Sequence, residues 1–179
     1  MANEEHKLSP AELADKAWEL SEKIRTAIFT TWDGEQQRAR PLSATVDRDE
    51  HAIYFLVGVD GGKTLAEAAG VPALSLVEQI EKFPNVSLAF ADHGKTDYVT
   101  IIGEASVSND RAKIAELWTP FAKAWWDSEN DPRIRLITVV PEAAEIWEGP
   151  NQLVAGAIML TAAVTGAKPA VGDHGAVVL

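Results

Sequence analysis

The stretch Gly58-Val59-Asp60-Gly61-Gly62-Lys63-Thr64 follows the apolar run Ala52–Val57 and leads into Leu65-Ala66-Glu67-Ala68. It reads as strand, glycine turn and helix start, with a lysine at the helix mouth. Glycines let backbone N–H groups approach a ligand, and a helix start carries unpaired donors and the positive dipole end, so the arrangement suits an anion. Gly62-Lys63-Thr64 is also the tail of a triphosphatase phosphate loop. The first glycine of that loop would have to be residue 57, which is Val57, and Gly58 comes one position late. A turn with a solvated lysine, and a single phosphate held by backbone donors and Lys63, stand beside that remote nucleotide-binding reading.

Arg38-Ala39-Arg40-Pro41-Leu42-Ser43 is a second cationic element. Side chains alternate along a strand, so Arg38 and Arg40 share a face with Leu42, Ala44 and Val46 unless Pro41 marks a bulge. A hairpin turn separates this strand from the one leading to Lys63, so the two are expected as neighbours. Guanidinium and ammonium converging at one rim suit a phosphate monoester, and a pair of arginines reaching to water is the alternative. The remaining chemistry-bearing residue types are scattered. His6, His51, His93 and His174 have no metal-ligand spacing, and no nucleophile motif occurs, so no metal site and no catalytic residue is assigned. Trp118 and Trp125 fall with Ile114, Leu117 and Phe121 on one helical stripe and are expected in the core, as is Trp147. Trp126 lies off the stripe and is expected in an interface or over a ligand.

The chain that must position these residues has 179 residues, a formal charge of −11 and no cysteine. That length supports a full core in one domain, and the lack of cysteine excludes disulfides and thiolate metal sites on this chain. An acidic chain without a basic cluster argues against nucleic-acid and anionic-membrane partners. The run Leu153–Val164 is shorter than the roughly 20 residues of a membrane span, so a soluble, cytoplasmic protein is expected.

Ser9-Pro10-Ala11-Glu12 is a capping box, and Leu13, Ala17, Leu20 and Ile24 follow at helical spacing. Strands are expected over 26–32, 38–46, 52–57, 86–91, 97–107, 134–140 and 143–148, the last two broken by Pro141. A short helix is expected over 75–82, and a longer one from the cap 108–110 to Trp126, kinked or split by Pro120. A last apolar helix is expected over 151–165. Consecutive strands with short connections predict a mainly β, α+β fold: an antiparallel split β-barrel of six to seven strands over 1–150, followed by a helix and tail over 151–179.

Taken in order, Arg38–Leu42, Ile53-Tyr54-Phe55 with Gly62-Lys63, Val86–Asp92, Tyr98–Gly103, Asp110–Ile114 with Leu117-Trp118 and Lys123-Ala124-Trp125, and Ala144–Trp147 resemble the general stress proteins of the pyridoxamine 5'-phosphate oxidase-like, FMN-binding split-barrel group. The resemblance spans roughly residues 10–150. It implies a homodimer with a flavin at the dimer interface, and an FMN-dependent oxidoreductase or else a flavin-sequestering binder without catalysis. It places the FMN phosphate on Arg40 and Lys63, with Arg38 beside them and Gly62 and Thr64 in the same turn. Pro41, Leu42, Ser43 and Thr45 match the strand beside the ring system, and Tyr98 and Thr100 match a segment that reaches the partner's flavin. Val57 and Gly61 stand where relatives carry hydroxyl residues, and the stretch 65–83 is longer by about a short helix. Those departures bear on the choice among FMN, FAD and a deazaflavin.

Overall fold

A computed structural model of the chain describes residues 8–59, 74–92, 94–149, 159, 161–163, 166 and 173–179. The first helix, α1 (Pro10–Ile24), starts where the Ser9 hydroxyl accepts the Glu12 N–H and the Glu12 carboxylate accepts the Ser9 N–H. It ends at Arg25, whose φ of 61° is left-handed. Ala17, Trp18 and Leu20 are buried on its inner face, and Leu13 and Ile24 pack against the same core, as the spacing predicts.

The strands are β1 (Thr26–Trp32), β2 (Gln37–Ser43), β3 (Thr45–Asp47), β4 (Ala52–Gly58), β5 (Asn85–Asp92), β6 (Asp97–Ser108), β7 (Ile134–Glu148) and β8 (Asp173–Val178). Seven follow the order β2-β1-β5-β6-β7-β4-β3, and every pairing is antiparallel. β2 and β3 lie at opposite ends of that order, yet only Ala44 separates them in the chain. The sheet therefore curls until its two ends are one continuous piece of backbone, which closes the barrel without exposing an edge there. The strand expected over 38–46 is divided at this point, where the buried Ala44 donates its N–H to the Arg25 carbonyl at 2.7 Å. Across the interior, Phe29 of β1 and Phe55 of β4 meet edge to face with centroids 5.0 Å apart.

Three further sequence expectations fail for identifiable reasons. Pro141 does not end a strand, because β7 runs unbroken past it. The register slips between Ile102↔Ala143 and Gly103↔Pro141, so Glu142 is the extra residue of a bulge and the proline's missing N–H falls in the irregularity. The helix expected to Trp126 stops early: α3 covers Arg111–Glu116, and after Pro120 only a 3₁₀ turn forms over Ala122–Ala124. The stripe breaks with it. Phe121 and Trp125 are exposed, whereas Trp118 and Trp126 pack beside Tyr54, Ile114, Ile134 and Leu136 in a second, smaller core outside β4 and β7. Trp147 also departs from its expected place. Ile146 takes the inward position, and Trp147 stacks on His174 at 4.9 Å.

The first half of β7 pairs with β4 and the second half, from Ala143, with β8, a strand absent from the sequence reading. The apolar helix expected over 151–165 lies mostly outside the described residues, of which 161–163 are helical. The helix α2 (Leu76–Lys82), capped by Ser75 and Glu78, buries Leu76, Gln79 and Ile80 and packs against β1 and β6.

Candidate functional site

Alternation along β2 puts Arg38, Arg40 and Leu42 on the inward side and Ala39, Pro41 and Ser43 on the exposed side. Pro41 sits opposite Ile28 with no register slip, which is tolerated because β2 has a ladder partner on one side only. Thus the two arginines share a face, as predicted, yet their surroundings differ.

Arg38 has a counter-ion. Its Nε donates to Asp33 Oδ2 at 2.6 Å, while Asp33 Oδ1 accepts the N–H groups of Gln36 and Glu35 at 2.8 and 2.9 Å. Those backbone donors first, and then Arg38, hold the Asp33 carboxyl down at about 2. Arg40 has no carboxylate among the described residues. Its Nη2 donates to Gln79 Oε1 at 3.0 Å and lies 3.5 Å from the Thr31 hydroxyl, and its Nη1 is buried without a hydrogen-bond partner among the described residues. Burial, and secondarily the charge of Arg38, pull its pKa down from the ordinary guanidinium value. A buried cationic donor without an acceptor is costly, and an arriving anion would remove that cost. A phosphate fits this donor set.

The other sequence-predicted residues distribute over two sides of the sheet. Val57 is buried in the barrel core and Leu42 packs against it. Ser43, Thr45, Tyr98 and Thr100 lie away from Arg40: Ser43 and Thr45 are exposed, while Tyr98 and Thr100 are outward residues of β6. Trp126 is half-buried in the second core. Gly61, Gly62, Lys63 and Thr64 lie outside the described residues. The structure therefore brings Arg38 and Arg40 together, and separately Tyr98 and Thr100.

That outward side holds two shallow hollows flanking Ile102. One, of about 290 Å³, is lined by Thr100, Ala143, Glu145 and Val178. The other, of about 320 Å³, is lined by Thr30, Trp32, Ser87 and Glu142. Thr31 and Gln79, which meet Arg40, escaped the sequence reading. The available signal was a glutamine within the stripe Leu76, Gln79, Ile80, Phe83, since a polar residue on an apolar face must have a buried partner. Among the described residues, no group of three acidic or histidine side chains could hold a metal, and no helix is long and apolar enough to cross a membrane.

An antiparallel barrel closed where β2 passes into β3, with helices flanking it, defines the split-barrel class. The chain belongs to the pyridoxamine 5'-phosphate oxidase-like family, whose model matches residues 12–170. No curated protein matches it. Among solved structures, general stress protein 26 of Jannaschia sp. CCS1 is 24% identical with a TM-score of 0.65, and the match covers 96% of this chain and all of that one. A general stress family protein of Xanthomonas campestris pv. campestris is 26% identical, TM-score 0.65, over 83% of this chain and 95% of its own. The general stress FMN/FAD binding protein of Xanthomonas citri is 26% identical, TM-score 0.62, over 77% and 89%.

Proposed function

We propose that this chain binds a phosphorylated flavin, FMN, as a homodimer and works as a flavin-dependent oxidoreductase. The carrying observation is Arg40, a half-buried guanidinium that has, among the described residues, no carboxylate partner and no acceptor for its buried Nη1. The likeness to an FMN/FAD binding protein supports the choice of flavin. When bound, the flavin supplies the redox chemistry. The chain's part is to bind and orient it. Arg40, with Lys63 from the glycine turn, takes the phosphate charge, and the outward residues Tyr98 and Thr100 face the second copy, where the ring system is accommodated.

The test is titration of FMN and riboflavin into the purified protein, followed by flavin fluorescence. Arg40→Ala should weaken FMN about tenfold to hundredfold, the scale of one charge-assisted contact, and change riboflavin by less than about threefold. Equal losses would place Arg40 in folding or ring contacts. A wild-type protein that binds neither ligand overturns the reading.

A further inference from the structure

Gln79 is a fully buried polar side chain on α2, and each of its polar atoms is engaged. Its Oε1 accepts the Thr31 hydroxyl at 2.6 Å and Arg40 Nη2 at 3.0 Å, and its Nε2 donates to the Leu74 carbonyl at 2.6 Å. The amide cannot be reversed. Turned over, its NH₂ would face the guanidinium donor and its oxygen would face a carbonyl. The side chain is thus fixed as a neutral acceptor for Arg40.

Arg38 and Arg40 lie two residues apart on one face of β2, and each has one dominant partner. Arg38 is held by the carboxylate of Asp33, Arg40 by the amide of Gln79. Both partners fix a guanidinium, but only the carboxylate cancels its charge. Acidic residues stand on either side of Gln79, at Glu78, whose exposed carboxylate caps the helix at the Ser75 N–H, and at Glu81, which is exposed. A glutamate at 79 would offer an oxygen to the same two donors and neutralise Arg40, but it would lose the hydrogen bond to the Leu74 carbonyl, as a leucine would.

We infer that Gln79 is a specificity-determining positioning residue: it holds Arg40 without cancelling its charge, and so makes the site select a phosphate monoester on the flavin over a ligand without phosphate. This rests on the flavin reading above. The hold also explains why the position is wholly buried. An exposed glutamine would let water share Oε1 and leave the guanidinium free to turn.

The experiment compares FMN and riboflavin affinities in the wild type, Gln79→Glu and Gln79→Leu, with thermal melting run on each to establish that it is folded. In the wild type FMN binds more tightly. Gln79→Glu is expected to reduce that preference about tenfold to hundredfold with riboflavin changed by less than about threefold, whereas Gln79→Leu, which leaves the charge in place but releases the guanidinium, is expected to reduce it by only about threefold to tenfold. A merely structural role would lower both ligands in parallel in both variants, and that result overturns the inference. So does an FMN preference that survives Gln79→Glu, or one that Gln79→Leu leaves unchanged or lowers as far as Gln79→Glu does. The flavin-phosphate reading fails separately, in the wild type itself, if FMN and riboflavin bind alike.

Discussion

Asp33 accepts three hydrogen bonds, two from backbone N–H groups of its own turn and one from Arg38 at the start of β2. Its native pKa of about 2 lies below the ordinary 3.8, so the folded state favours the ionised form. The resulting stability is fully present above 3.8 and is lost as pH falls through about 2. Urea midpoints measured against pH should therefore drop more steeply across that window in the wild type than in Asp33→Asn. Parallel curves would mean that the turn does not depend on the charge. The two arginines of β2 were legible in the sequence because strand alternation alone puts Arg38 and Arg40 on one face. Which of them is cancelled was not legible, since Asp33 and Gln79 come from a turn and a distant helix. Partner identity is a tertiary fact, and here it decides the electrostatics of the site.

At the scale of elements, capping and alternation carried most of the fold. Ser9–Glu12 and Ser75–Glu78 start α1 and α2 where the sequence says they must, and strands β1, β5 and β6 follow their period-two patterns. What the pattern could not carry is β7, which reads as two strands because Pro141 interrupts it, and β8, whose short Asp173–Val178 run follows a glycine and proline-rich stretch. The bulge that lets β7 continue makes its own demand on β6. A Cβ added at Gly103 would lie 2.3 Å from the Val140 carbonyl oxygen, a backbone atom that cannot turn aside. Gly103→Ala should therefore cost about 1–3 kcal/mol in urea unfolding. At Gly175 the obstacle is the tip of the Leu13 side chain, at 2.5 Å, which can rotate, so Gly175→Ala should cost less. At Gly58 nothing among the described residues lies within 4 Å, so that replacement meets no steric obstacle from them. Should Gly103→Ala prove as mild as Gly58→Ala, the tight β6–β7 approach at the bulge is not a constraint.

At the scale of the whole molecule, the outward side of the sheet carries apolar residues that no described part of the chain covers. Ile28, Trp32, Tyr98, Ile102, Val140 and Val178 are all exposed, and the β-ladder registers line up Ile102, Ala143 and Val178 in one apolar row and set Ile28 against Ala89 in another, with Ser87, Thr100 and Glu145 among them. A patch of this kind is covered in most soluble proteins, and a second copy related by a two-fold axis is the proposed cover. Ile102, 53% exposed between the two hollows, is the position at which to test it. In a two-fold interface each substitution occurs twice, so Ile102→Glu would bring two carboxylates into one apolar contact, at a cost of several kcal/mol for each ion removed from water. Sedimentation velocity should show a dimer for the wild type and a shift of at least about tenfold in dissociation constant for the variant. Flavin affinity should then depend on protein concentration in Ile102→Glu, because a ring accommodated between copies is lost with the pairing. A wild type that sediments as a monomer, or an Ile102→Glu dimer as tight as the wild type, would remove the second copy from this face and leave Tyr98 and Thr100 without the partner assigned to them.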